Sequence, residues 1–152
     1  MSARAAWRLE TIGFGQVYRY VGGKQDWLLA RLPVEGRDAG VQRAFDVARR
    51  DVPVCRLREP VTDVGRRVAD EGWPLAVVVN DVDVVLGRLR PRALAEHPDA
   101  IAEEIMVPGP RTVRGARPAS EMAAWLDERN VLGVLVTDVD GVLVGYVRRE
   151  DV

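Results

Sequence analysis

The chain is poor in the residues that carry covalent or metal chemistry: 152 residues contain one cysteine, Cys55, and one histidine, His97. A lone cysteine excludes an internal disulfide, and its setting in the extended apolar stretch "VPVCRL" suits a packed thiol rather than a reactive one. His97 lies in the polar stretch "LAEHPDA" without histidine or cysteine partners at ligand spacing, so it reads as a solvated loop residue and no metal site is expected. Long apolar runs are missing too. No stretch approaches the roughly 20 residues of a membrane span, and "MSARAAWRLE" has no apolar signal core, so a cytoplasmic location is expected. Nor does charge of one sign prevail. Twenty-two basic against 23 acidic residues leave a net charge of −1, which gives no global field for nucleic acid or anionic membranes. The short arginine-rich stretches "RPRAL", "RTVRGAR" and "VRRED" lack interleaved aromatics and read as solvated faces.

What is present is a core-forming composition, 47 % hydrophobic and 30 % charged, arranged as an internal repeat. An offset of 58 residues pairs Gly87 with Gly145, Pro60 with Pro118, Arg56 with Arg114, Val78 with Val136 and Arg90 with Arg148. The correspondence runs from Pro53 and Arg111 to Leu94 and Val152. Each copy opens with a short strand ("VCRL", "RTVR"), continues into a helix that begins near its proline, and ends in two strands joined by an acidic turn. Helical spacing places Val61, Val64 and Val68 on one face in the first copy and Ala119, Met122, Ala123 and Leu126 in the second. Asp63 and Ser120 fall in the opening turns, where free backbone donors favour short polar or acidic groups. The strands "LAVVVN" and "GVLVTD" are nearly continuously apolar, as strands buried on both faces are. Asp81, Asp83, Asp138 and Asp140 mark hairpin turns; they lack the further ligands and the distant glutamate of a calcium loop.

The two βαββ copies resemble a tandem of CBS domains, the modules named after cystathionine β-synthase, with the second copy closest in "ASEMAAWLDERNVLGVLVTD" and "DGVLVGYVRRED". The resemblance covers about two thirds of the chain and implies an α/β fold whose repeats pack about a pseudo-twofold axis. It also implies a regulatory ligand, AMP, ATP or S-adenosylmethionine, held in a cleft between the copies by a motif that ends in Asp, the position of Asp151. An ionised carboxylate can accept from both ribose hydroxyls at once. Thr112, Gly133, Val134 and Arg148 are its expected neighbours in the site. The motif departs from the family where Arg148 and Arg90 replace a hydroxyl residue and where Ala93 takes the Asp position in the first copy. Two alternatives stand beside this: Asp151 can cap a following helix, and the chain can be a ligand-free homodimerisation scaffold whose clefts have degenerated.

Before the repeats, "ARAAWRLETIGFGQVYRYVGGKQDWLLARLPVEG" is similar to the tail of a rhodanese domain, with a helix along Ala6, Leu9 and Ile12, a stop at Gly13, a strand "QVYRYV" and a helix carrying Trp27 and Leu28. A rhodanese needs a cysteine nucleophile ahead of this tail, and no cysteine precedes Cys55, so the chain is expected to be no enzyme and to have no catalytic residues. The expected organisation is therefore a helix-strand-helix extension over residues 1–36, a first CBS-like motif with a lead-in helix "GVQRAFDVARRD" over 37–106, and a second motif over 107–152. CBS-like pairs commonly associate through their helices, so a homodimer is expected. Trp125, which stands where the first copy has Arg67, is either its anchor or an extension of the buried stripe.

Overall fold

The computed structural model describes residues 3–37 and 39–152 of the chain. They form two compact units, Met1–Gly40 and Val41–Val152. The first holds α1 (Ala3–Thr11) and α2 (Gly23–Leu29), and α1 ends at Gly13, whose positive φ of 102° suits a residue without a side chain. The expected strand over "QVYRYV" does not form: residues 16–20 have no assigned secondary structure and no ladder partner. Alternation alone cannot hold a strand whose N–H and C=O groups have nothing to pair with. Side chains order the segment instead. The Tyr20 hydroxyl donates to Asp26 at 2.6 Å, its ring meets the Trp27 indole edge-on at 5.2 Å, and the Trp27 N–H donates to the Pro33 carbonyl at 2.9 Å.

The second unit is the tandem. The single helical turn α3 (Ala44–Val47) precedes β1 (Val54–Arg56), α4 (Val61–Asp70), β2 (Ala76–Val79) and β3 (Val85–Leu89). After α5 (Pro91–Glu96) the pattern returns as α6 (Ala102–Ile105), β4 (Val107–Pro108), β5 (Thr112–Arg114), α7 (Ala119–Glu128), β6 (Gly133–Thr137) and β7 (Leu143–Arg148). A 3-10 turn, Arg149–Asp151, follows. β1 runs parallel to β2, which pairs antiparallel with β3, and β5, β6 and β7 repeat this order. The register repeats as well. Val54 faces Val77 as Thr112 faces Leu135, Val78 faces Gly87 as Val136 faces Gly145, and both hairpins bulge one residue later.

The hairpin turns match in chemistry. The Asn80 side-chain oxygen accepts from the backbone N–H of Val82 and Val84, and one Asp138 oxygen accepts from Asp140 and Val142. Arg56 donates to the Asn80 carbonyl and Arg114 to that of Asp138. The side chains of Asn80 and Asp138 thus serve the turn itself, while Asp83 pairs with Arg56 at 2.8 Å. A pseudo-twofold axis passes between Val84 and Val142, which form a bridge: Val85 N–H donates to the Gly141 carbonyl at 3.1 Å and Leu143 N–H to the Asp83 carbonyl at 3.0 Å.

The expected lead-in helix shrinks to the one turn of α3 because its flanks are spent on pairing. Arg43 bridges Pro118, and Arg49 exchanges both backbone hydrogen bonds with Tyr146 at 2.9 Å. The second copy mirrors this: Ile101 bridges Pro60, and Val107 of β4 pairs with Arg88 of β3. The equivalence therefore extends upstream of Pro53 and Arg111. These two arms, residues 43–49 and 101–107, open their helical turns alike, with Asp46 accepting from Arg43 N–H at 2.9 Å and Glu104 accepting from Ile101 N–H at 3.2 Å. The two arms are exchanged, each docking on the other repeat.

Val61, Val64 and Val68 of α4 and Met122 and Leu126 of α7 are buried beneath the sheets, as the helical spacing predicts. β2 is buried along its whole length. Among the described residues no helix is long and apolar enough to cross a membrane. Gly145 shows why the arms need bare backbone beneath them: a Cβ there would lie 2.5 Å from the Arg49 carbonyl oxygen. Gly145→Val should therefore push the first arm off β7 and cost about 1–3 kcal/mol, as overpacking does. Urea unfolding checks this, and an unchanged midpoint would show that the arm does not dock there.

Candidate functional site

Arm exchange creates two clefts, one beneath each arm, and they have different contents. Beneath the second arm lies a cavity of about 580 Å³, within the size range of small-molecule sites. Residues 107–111 form one wall, Val131 with the start of β6 another, and Leu75, Arg88, Trp125 and Tyr146 complete it. Trp125 is half-buried, and the guanidinium groups of Arg129 and Arg111 lie 4.7 and 5.8 Å from its ring centre. Trp125, read as either an interface anchor or an extension of the buried stripe, packs against the core of the second copy and lines this cavity. Its counterpart in the first copy, Arg67, donates instead to the Val54 carbonyl at 3.1 Å and pairs with Glu59.

Beneath the first arm the corresponding space is filled by Trp73, which is 3 % exposed. Arg148 stacks on one ring at 4.2 Å, Arg49 lies at 4.9 Å, and Tyr146 meets it edge-on at 6.0 Å. Cation–π contacts of this kind strengthen when desolvated. Arg49 pairs with Asp51 at 2.6 Å, and Asp51, Asp151 and Glu150 all help to hold its pKa above the usual value, the Asp51 hydrogen bond contributing most. Asp51 is held below its usual value chiefly by the same bond. A smaller cavity, about 420 Å³, opens beside this cluster between Gly72, Pro74, Leu132 and residues 148–150.

The five residues expected to form one ligand site are divided between these places. Gly133 and Val134 line the larger cavity. Arg148 lines the smaller one, and its side chain is committed to Trp73 and to Glu150, at 3.2 Å. Asp151 accepts from the Arg148 N–H at 3.1 Å, closing the 3-10 turn to which it belongs rather than capping a following helix, and its charge acts on Arg49 of the first arm. Thr112 lies exposed on β5, opposite Leu135. Sequence spacing missed Trp73, Arg88 and Arg111. The signal available for Trp73 was its offset partner, the much smaller Val131.

The remaining candidates for chemistry are committed elsewhere. Burial pushes the Cys55 thiol up to about 12, and its sulfur lies 3.7 Å from the Val77 carbonyl. Desolvation, the dominant cause, also raises Tyr146, against the opposing charges of Arg148 and Arg88. His97 is exposed at the end of α5. Among the described residues no three His, Cys, Asp or Glu side chains gather as metal ligands do.

No protein-family model matches the chain, and no curated protein matches it in sequence. Solved structures do match. Protein MJ1004 from Mathanocaldococcus jannaschii superposes with a TM-score of 0.66 at 20 % identity, over 72 % of this chain and 57 % of that one. CBSX2 in complex with AMP gives 0.62 at 20 % identity, over 72 % and 91 %. The CBS domain pair of protein MJ0100, in complex with 5′-methylthioadenosine and S-adenosyl-L-methionine, gives 0.61 at 18 % identity, over 73 % and 92 %. The tandem unit therefore has the fold of a CBS domain pair. The chain spans little more than half the length of MJ1004.

Two consequences are measurable. Trp73→Ala should destabilise the protein by about 3–5 kcal/mol, the usual cost of emptying a buried aromatic site; a loss below 1 kcal/mol would mean the ring is not packed as described. A thiol whose folded pKa is raised favours the folded state fully below its unfolded value of 9.0, and that contribution is lost as pH rises towards about 12. Cys55 should therefore resist alkylation by iodoacetamide at pH 9 and react completely in guanidinium. Rapid labelling of the native protein would contradict its burial.

Proposed function

We propose that the protein is a non-catalytic regulatory module that binds one adenosyl ligand per chain, in the open cleft beneath the second arm. The observation that carries this reading is the contrast between the clefts. One is filled by the chain's own indole between two guanidinium groups, and the other is a cavity of ligand size walled by Trp125, Tyr146 and Arg88. Trp125 offers a purine an aromatic wall, and the apolar start of β6 covers another side of the cavity. Structures of like fold hold AMP, 5′-methylthioadenosine and S-adenosylmethionine, which supports the adenosyl class. Asp151 and Arg148 belong to the filled cleft in this reading, where Arg148 stacks on Trp73 and Asp151 accepts from the Arg148 N–H.

The module acts in the cytoplasm. Residues 1–36, similar to a rhodanese tail, take no part in ligand binding in this reading. The same reading includes a homodimer formed through α4 and α7, as the resemblance implies. Sedimentation velocity at micromolar concentration returns a dimer if that holds and a monomer if it does not.

Calorimetric titration with AMP tests the site. One equivalent should bind per chain, and Trp125→Ala should weaken binding about tenfold or more, since base–aromatic stacking contributes roughly 1–3 kcal/mol. Asp151→Ala should leave the affinity unchanged; loss of binding in that variant would move the ligand to the first cleft. Uniform silence towards adenine and guanine nucleotides at millimolar concentration would leave the ligand-free scaffold instead.

A further inference from the structure

Arg88 is a cation in the open cleft for which, among the described residues, the structure shows neither an ion pair nor a hydrogen-bond acceptor. It projects from β3 as a half-buried side chain lining the cavity, and its Nε is shielded from solvent with no hydrogen-bond acceptor. Among the described residues that line the cavity there is no carboxylate, and Arg111 adds a second cation to the wall. Several arginines in the repeats are matched by carboxylates: Arg56 by Asp83 at 2.8 Å, Arg49 by Asp51 at 2.6 Å and Arg149 by Asp127 at 3.2 Å. The asymmetry between the copies sharpens this. At the 58-residue offset Arg111 corresponds to Pro53, so this second cation has no counterpart in the filled cleft.

A partly desolvated guanidinium without a counter-charge is unfavourable, and an anion entering the cavity relieves it. Phosphate matches the guanidinium fork in two parallel, charge-assisted hydrogen bonds. S-adenosylmethionine carries a net positive charge, its sulfonium and ammonium outweighing its one carboxylate, and is disfavoured beside the two guanidinium groups. We infer that the open cleft selects an adenosine that carries phosphate, with Arg88 as the phosphate receptor, and discriminates against S-adenosylmethionine and unphosphorylated adenosine. A solvated surface arginine would have no such preference, and the shielded Nε distinguishes Arg88 from one. The inference rests on the adenosyl reading of the cleft.

Titration of the intact chain with AMP, adenosine and S-adenosylmethionine tests it. AMP should bind at least tenfold more tightly than adenosine, and S-adenosylmethionine more weakly than either. Arg88→Gln should bring the ratio of AMP to adenosine affinity down to about one, whereas Arg88→Lys should keep part of the preference. Equal affinity for AMP and adenosine in the unsubstituted protein, or tightest binding of S-adenosylmethionine, overturns the inference whatever the variants do. If none of the three binds, the adenosyl reading has failed, and inorganic pyrophosphate decides the role of Arg88. Pyrophosphate binding that Arg88→Gln abolishes supports an anion receptor, and its absence ends the proposal.

Discussion

The structure of the tandem depends on the exchange of its two arms. A βαββ unit of this size has one sheet with an open edge beside its last strand, and alone it can neither satisfy that edge nor cover it. Here the edge of β7 receives Arg49 from the first arm, and the edge of β3 receives Val107 from the second. The bare backbone of Gly145 and Gly87 lets the arms approach, with a Cβ at Gly87 meeting the Met106 sulfur at 2.6 Å. Because each arm crosses to the other repeat, the two copies cannot separate without exposing both edges. The reciprocal bonds between Asp83, Val85, Gly141 and Leu143 then fix the axis on which they meet.

The same exchange makes both clefts composite, and that is how near-symmetric halves come to do different things. A single difference in size, Trp73 against Val131, fills one cleft and leaves the other open. A difference in chemistry, Arg67 against Trp125, gives the open cleft an aromatic wall where the filled side has a charge tied to Glu59. The backbone is duplicated, and side chains at a few offset positions decide which half can receive a ligand.

Much of the fold was legible in the residues because it is local. The 58-residue offset, the buried stripes of α4 and α7 and the hairpin turns marked by Asp81, Asp83, Asp138 and Asp140 follow from periodicity and turn chemistry, and the strand register repeats at the same offset. The composition of the clefts was not legible, because spacing within a repeat does not say which repeat a strand end faces. Asp151 and Gly133 look like neighbours in sequence and fall in different places once the arms cross. "QVYRYV" misled for a related reason, since alternation describes one strand while a sheet requires a partner. Arg88 carried no sequence signal at all; it becomes distinctive only when its surroundings are known to hold no carboxylate.

The division between a filled and an open cleft can be watched directly through the indole N–H resonances. The chain has four tryptophans, and Trp73 and Trp125 report on the first and second clefts respectively. In a ¹⁵N-labelled sample titrated with AMP, the Trp125 indole should shift and saturate at one equivalent while the Trp73 indole holds its position. Movement of Trp73 with Trp125 unchanged would place the ligand in the cleft that the protein's own side chain is said to fill, and would contradict the account.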